Sequence, residues 1–246
     1  MNLDRTLHQR FGFPAFRGGQ KDIVTHVVGG SDALVVMPTG AGKSLCYQLP
    51  AVALGPTTLV VSPLLALMKD QVDSLSAKGI RATLINSTIS ASERRERLQG
   101  LRQGAYELVY VAPERFTPAF IAGLRGADVR LLAIDEAHCL SQWGHDFRPD
   151  YLALGRVREA LGGPPTIALT ATATPEVQDD IVRTLGIDTC QRFILGFDRP
   201  NLALEVVEAG SLKDKLARVA GLVSDGTTLV YCATRKNVEK VAEHLR

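Results

Sequence analysis

The sequence has few cysteines, few aromatic residues, little net charge and no long apolar run, and each shortage removes a class of function. Cys46, Cys139, Cys190 and Cys232 are scattered without any Cys-x-x-Cys pair. That spacing argues against a zinc site or a disulfide framework and favours a reducing compartment. No apolar stretch approaches the roughly 18–20 residues that cross a bilayer, and residues 1–5 open no apolar signal core. The expectation is a cytoplasmic chain with no membrane partner. With 28 basic and 26 acidic residues the net charge is +2, so bulk charge announces no polyanion. A polynucleotide would have to be held in a local groove. What is present, 46% hydrophobic and 22% charged residues over 246 positions, fits one to two ordinary globular domains.

Short β-branched runs recur at residues 34–37, 58–62, 83–85, 108–111, 131–135 and 167–170, with amphipathic stretches at 64–75, 90–102 and 151–161 between them. This alternation predicts an α/β fold, a mainly parallel sheet with helices on both faces. Ser90 and Glu93 form a plausible capping box, and Thr174-Pro175 with Gly186 marks the start and stop of a further helix. Near residues 197–201 the pattern breaks into an extended connector. Residues 1–198 are therefore read as one domain and 199–246 as the connector and the opening of a second. That opening comprises strands at 204–207 and 228–232 and helices at 212–222 and 235–245. Ligands of such sheets sit beyond the carboxyl ends of the strands.

Met37-Pro38-Thr39-Gly40-Ala41-Gly42-Lys43-Ser44 occupies that position after the first strand. Glycines at 40 and 42 let the backbone turn its N–H groups, with those of Thr39 and Ala41, onto phosphate oxygens. Lys43 reaches the β- and γ-phosphates, and the Ser44 hydroxyl completes the shell of a Mg²⁺ ion. The helix expected from Ser44 adds its positive end. The general pattern wants glycine where Met37 stands, and a plain glycine-rich turn would share much of the local sequence.

Asp135 and Glu136 emerge from the apolar run 131–134, placed to hold Mg²⁺ and to orient or deprotonate an attacking water. In isolation two surface acids ending a strand would look the same. His138 could be a satisfied core imidazole or a relay between the nucleotide and a second ligand. Thr170 and Thr172 could bond the acidic segment and sense phosphate, or could form an ordinary strand-end turn.

Taken together, Gly40–Ser44 chemistry, Asp135-Glu136-Ala137-His138 and Thr170-Ala171-Thr172 resemble a superfamily 2 helicase, and further stretches resemble the RecQ family of ATP-dependent DNA helicases. The resemblance implies a RecA-like P-loop domain and the start of a second RecA-like lobe. It makes Phe11–Gln20 similar to an adenine-recognising segment, with Phe13 stacking on the base, Arg17 supporting the nucleotide and Gln20 bonding the adenine edge. Phe11, Phe13 and Phe16 are equally compatible with a core. Cys139–Tyr151 resembles the aromatic-rich loop that couples single-stranded DNA binding to hydrolysis. Gln142, Trp143, Phe147 and Arg148 would meet the strand there, an exposed indole stacking on bases and Arg148 pairing with phosphate. A tryptophan that merely pins the loop is the plainer alternative. Ser62, Lys69 and Arg115 lie in stretches similar to the family's strand-tracking motifs.

The implied cofactors are ATP and Mg²⁺, with no zinc in this chain. The implied partners are single-stranded and forked DNA, together with single-stranded-DNA-binding and recombination proteins at a bacterial nucleoid. The implied activity is 3′-to-5′ unwinding in DNA repair and recombination. The second lobe is incomplete in this sequence, so the chain alone is expected to bind ATP·Mg²⁺ weakly, to hydrolyse it poorly and not to unwind DNA. Alternatives are an RNA helicase of the same superfamily and a non-catalytic nucleotide- or DNA-binding paralogue.

Overall fold

Apolar runs of four or five residues have no polar face to turn to water, so they pair into a sheet that must be covered on both sides. The computed structural model describes residues 2–144, 146–196, 202–223 and 226–245, in two units, Met1–Phe197 and Asp198–Arg246. In the first unit α1 (Leu3–Thr6) continues into a wider helical turn at Leu7–Phe11, followed by α2 (Gln20–Val28), β1 (Ala33–Val36), α3 (Leu45–Leu54) and β2 (Thr58–Val61). Then come α4 (Leu65–Ala77), β3 (Ala82–Ile85), α5 (Ala91–Arg102), β4 (Leu108–Val111), α6 (Pro118–Leu124) and β5 (Leu131–Ile134). Last are α7 (Leu154–Ala160), β6 (Thr166–Thr170), α8 (Pro175–Leu185) and β7 (Gln191–Ile194).

The seven strands run parallel in the order β3-β4-β2-β5-β6-β1-β7. Period-two alternation divides their side chains between two cores. Leu34, Leu59, Val109, Leu132 and Ala168 join a core with α5 to α8, through residues such as Leu101, Leu124, Val157 and Ile181. Ala33, Val35, Val60, Leu131 and Ile167 join the other, with Ile23, Leu49 and Met68 from α2, α3 and α4. On α8 the apolar stripe Val177, Ile181, Val182 and Leu185 is buried, each side chain contributing about 1.5–3 kcal/mol.

Local signals set the helix ends. Ser90 N–H donates to Glu93 Oε2 at 2.9 Å and Glu93 N–H to Ser90 Oγ at 3.2 Å, the reciprocal box at the start of α5. Thr174 caps α8, Pro175 takes its first position, and Gly186 ends it at φ 63°, in the left-handed region. At the amino end of the sheet Asp32 accepts Thr166 N–H at 2.7 Å and Arg158 Nη2 at 3.0 Å, fastening the entrance of β1 to β6 and α7.

Several expectations need correction. The stretch 151–161 divides into a tight turn at Pro149–Ala153 and the helix α7. The edge strand β7 and the helices α2 and α6 were not expected; β7 has the mixed sequence Gln191-Arg192-Phe193-Ile194 and is mostly exposed. In the second unit the two helices form, as α9 (Leu212–Leu222) and α10 (Arg235–His244), but residues 204–207 and 228–232 carry no strand. A helix closes its hydrogen bonds within itself, whereas a strand needs a neighbour to pair with. Leu204, Val206 and Tyr231 are each more than 90% exposed. The connector at 197–201 lies outside the described residues.

Candidate functional site

The carboxyl end of β1 continues its ladder by one bond, Met37 N–H to Thr170 O at 3.0 Å. Met37, where the general pattern has glycine, is fully buried in the core. Beyond it Gly40 and Gly42 adopt φ of 82° and 89°, values that favour glycine. A Cβ at Gly42 would lie 2.4 Å from Gln20 Nε2, so the Gln20 amide would have to shift to admit a side chain there. The helix α3 starts at Leu45 with Ser44 as its cap residue, and the Ser44 side chain makes no capping bond. The loop thus ends on a helix N-terminus and its positive end, with Leu45, Cys46 and Tyr47 N–H donating to Gly42 O, Lys43 O and Ser44 O. Burial pushes the Cys46 thiol at this terminus up to about 12, against the opposing pull of Lys43.

Phe13, Arg17, Gln20 and Ser44 line one cavity of about 340 Å³, together with Gln48 and Lys78. Phe13 is 41% exposed whereas Phe11 is core, so only the former is free to stack. The Lys78 ammonium lies 5.4 Å from the Phe13 ring centroid. The Gln20 amide is committed differently from expectation. Its Oε1 accepts Arg17 N–H at 2.8 Å, and its Nε2 donates to Ala41 O and Gly42 O, both at 3.2 Å. Arg17 Nη1 likewise donates to Gly40 O at 3.2 Å. In this structure both side chains brace the glycine-bearing turn, and both hydrogens of the Gln20 Nε2 are committed to it, while Oε1 accepts a single bond.

The acidic pair stands two strands away, because β6 alone separates β1 from β5. Asp135 is 8% exposed, and its pKa is raised from 3.8 to about 6. Burial is the main cause and the neighbouring Glu136 charge adds to it; the Glu136 N–H bond and Lys43 oppose it. Lys43 is therefore close enough to act on Asp135. Glu136 has φ 49°, unusual for a residue with a side chain and a place where backbone strain is held. Tyr151 O–H donates to Asp135 O at 3.1 Å, fixing the strand tip from below.

His138 Nδ1 lies 2.9 Å from Thr170 Oγ1 and 3.4 Å from Glu136 Oε2. Thr170 Oγ1 donates its hydrogen to Thr172 O at 3.0 Å, so it accepts from an Nδ1–H tautomer of His138. Acid, imidazole and the β6 terminus form one connected chain of contacts. Thr39, Glu136, His138, Arg148 and Thr172 face a common cavity of about 380 Å³.

The loop leaving β5 ends its tight turn at Leu140 and then projects Trp143, 79% exposed. Its base is fixed: Trp143 N–H donates to Ser141 Oγ at 3.2 Å, and Ser141 Oγ to Asp180 Oδ2 at 2.9 Å. A pinning tryptophan would be buried; this indole packs little surface. Gln142 is exposed beside it and Phe147 half-buried, while His145 is outside the described residues. Arg148 does not stand free, since it holds Asp146 at 2.8 Å and reaches Pro63 O at 3.4 Å.

Residues 17–181 match the family model described as DEAD/DEAH box helicase, two thirds of the chain, with the glycine turn, the acidic tip and Thr170 inside the match. The chain belongs to the DEAD/DEAH box helicase family. Within it, the chain is 48% identical over 242 residues to the ATP-dependent DNA helicase RecQ of Bacillus subtilis (strain 168), covering 96% of this chain and 40% of that protein. It is 44% identical over 248 residues to the probable ATP-dependent DNA helicase RecS of the same organism, covering 99% of this chain and 50% of that one. The chain thus spans half the length or less of these relatives. Among solved structures, a DUF1998 helicase, MrfA, superposes with a TM-score of 0.69 at 19% identity, over 99% of this chain and 40% of that one. Mycobacterium smegmatis helicase Lhr gives 0.66 at 23% identity, over 100% of this chain and 35% of that one. These last two likenesses are of fold.

The helicase fold does not gather every residue expected at the site. Ser62 is 2% exposed at the end of β2, so little of its side chain can meet a strand. Lys69 pairs with Asp73 at 2.5 Å and lines a separate groove with Thr83, Asn86 and Arg97. Arg115 lies on the α5–α6 side of the sheet. Gln48 and Lys78, which also line the Phe13 cavity, were not singled out in the sequence, since no local motif marks them. His138, Cys139 and Asp146 bring one donor atom each within 4.8 Å of one another. Burial pushes the Cys139 thiol up to about 12, and Arg148 already holds Asp146.

Proposed function

We propose that this chain is the nucleotide-binding lobe and the opening of the second lobe of a RecQ-type, ATP-dependent DNA helicase. The observation that carries the reading is the single edge of the sheet where Lys43, Asp135–Glu136, the His138–Thr170 bond and the exposed Trp143 loop all emerge. The names of the relatives supply ATP and DNA as the ligands.

The residues present fit ATP with Mg²⁺. Ser44, Asp135 and Glu136 offer hard oxygen donors, and the raised pKa of Asp135 marks an acidic pair that a divalent cation would neutralise. When bound, the metal would supply charge on the transferring phosphoryl oxygens. Backbone N–H groups of residues 39–44 and the Lys43 ammonium hold the phosphates, and Glu136 orients the water. Phe13 offers its ring to the base. Gln20 would reach the adenine edge only by exchanging a bond to Ala41 or Gly42, which ties base binding to the shape of the turn.

The His138–Thr170–Thr172 chain is the route by which the strand loop is read at the phosphates. Trp143 stacks on bases of single-stranded DNA, and the intact enzyme moves 3′ to 5′ on single-stranded and forked substrates in repair and recombination, with single-stranded-DNA-binding proteins as partners. Residues 199–246 open a second RecA-like lobe that carries further groups for the ATP site. The setting is cytoplasmic.

An arginine supplied in trans is worth on the order of 10³–10⁵ in rate. The 246-residue chain by itself should therefore turn over ATP very slowly, with or without DNA. A coupled assay of phosphate release tests this, with a Lys43→Ala control that should lose nucleotide binding while keeping DNA binding. Brisk DNA-stimulated turnover by the chain would refute the need for a complete second lobe. Stimulation by RNA in preference to DNA would refute the choice of strand.

A further inference from the structure

Outside the nucleotide site, a cavity of about 310 Å³ opens between α5, α6 and the turn after β4. Its polar lining is dominated by three guanidinium groups, Arg94 and Arg95 on α5 and Arg115 on the turn at Pro113–Arg115, with Glu114 as the one acid. Among the described residues the side chains of Arg94 and Arg95 have no hydrogen-bond or ion-pair partner. Their neighbour Arg97 differs, since it pairs with Glu93 and donates to Leu84 O. Arg115 carries a buried Nε with no hydrogen-bond partner, a donor withdrawn from water without compensation.

Helix energetics do not explain this arrangement. Arg94 and Arg95 lie close to the N-terminus of α5, where the helix dipole disfavours cations. They add positive charge to a region that is already positive: Arg95 is exposed, Arg94 is half-buried, and both line the cavity beside Arg115 without a partner among the described residues. That is the chemistry of a phosphate site, where guanidinium groups bind anionic oxygens with directed N–H bonds.

The place on the sheet suggests whose phosphate. β4 follows β2 and β5 in the sheet order, and the turn bearing Arg115 leaves the same carboxyl edge as the Trp143 loop. We propose that Arg94 and Arg95, with Arg115, bind the phosphodiester backbone of a single nucleic-acid strand, lengthening its path outward from Trp143 past β2 to α5. This inference rests on the strand-binding reading above and adds two residues that no sequence motif singled out.

The test is fluorescence anisotropy of a labelled oligothymidylate of about 20 nucleotides, titrated with the full chain over a range of salt. An Arg94→Ala/Arg95→Ala double variant should bind more weakly. Its slope of log affinity against log salt should fall by about 1.4, about 0.7 for each phosphate of a single strand that is no longer neutralised. An Arg94→Lys/Arg95→Lys variant should recover most of that slope, and thermal unfolding should show all three proteins equally folded. If the wild-type chain binds the strand and the double alanine variant keeps its slope, the inference is overturned while the strand-binding reading stands. If the wild-type chain does not bind the strand at all, the reading falls as well. An unchanged slope with inorganic phosphate stabilising only the wild type would assign the cavity to a free anion, and would also overturn the proposal.

Discussion

Replacing Asp135 by asparagine should make the unliganded protein more stable at neutral pH while removing the proposed metal ligand. The Asp135 carboxyl is 8% exposed and its pKa is raised from 3.8 to about 6, so ionising it in the folded state is unfavourable. Between those values the folded chain binds more protons than the unfolded chain. Stability therefore falls as pH rises through that window, and the full penalty is present above it. About 2.2 pH units at ~1.36 kcal/mol each give an upper bound of about 3 kcal/mol. Asparagine keeps an Oδ1 to accept the Glu136 N–H, which Asp135 Oδ1 accepts at 3.0 Å, so little is subtracted.

For a chain of this size about 3 kcal/mol corresponds to a rise in Tm of roughly 6–12 °C. The measurement is thermal or urea denaturation of both proteins in the presence of a chelator and without nucleotide. The gap should be greatest near pH 8 and about half as large near pH 5, since the carboxyl is then largely protonated in the native state. Saturating Mg²⁺ with ATP should reverse the order by stabilising only the wild type. An asparagine variant no more stable than the wild type near pH 8, or with a gap that ignores pH, would falsify the account of the acidic tip.

Two further outcomes follow from the same structure. Trp143→Ala should leave stability nearly unchanged, because the indole is 79% exposed, yet weaken single-stranded DNA binding by about 1–3 kcal/mol in an anisotropy titration. An equal loss of nucleotide affinity would instead make the loop a structural part of the ATP site. Asp32→Ala, remote from that edge, should destabilise by roughly 1–3 kcal/mol in urea denaturation, since it leaves the Thr166 N–H unpaired and takes one partner from the part-buried Arg158, which keeps Thr166 Oγ1 and Gly186 O. A loss below about 1 kcal/mol would show that the pair behaves like a surface salt bridge.

Where structure is local, sequence reading worked at the level of single residues. The Ser90–Glu93 box and the Thr174, Pro175 and Gly186 signals stand where expected, because a cap needs only three or four neighbouring residues. The strands of the first unit were legible from apolar runs, to within a residue or two at their ends. β7 was not, because an edge strand with half-exposed side chains lacks such a run. Residues 204–207 and 228–232 mark the converse failure: a strand-like sequence forms no strand without a partner strand beside it. At the candidate site, the positions of Lys43, Asp135 and Glu136 at the ends of β1 and β5 followed from the spacing of the apolar runs. The commitments of Gln20 to Ala41 and Gly42, and of Arg148 to Asp146, were not.

The sequence alone determined a glycine-hinged turn, an acidic strand tip and an alternating α/β order, since each is encoded by neighbours along the chain. Tertiary structure decided which of these lie side by side. Only the strand order sets β6 between β1 and β5, bringing Lys43 within electrostatic reach of Asp135 and His138 onto Thr170. Folding also assembled the arginine-lined cavity of Arg94, Arg95 and Arg115. Contacts between residues far apart in sequence leave no periodic trace, and only the packed sheet fixes them.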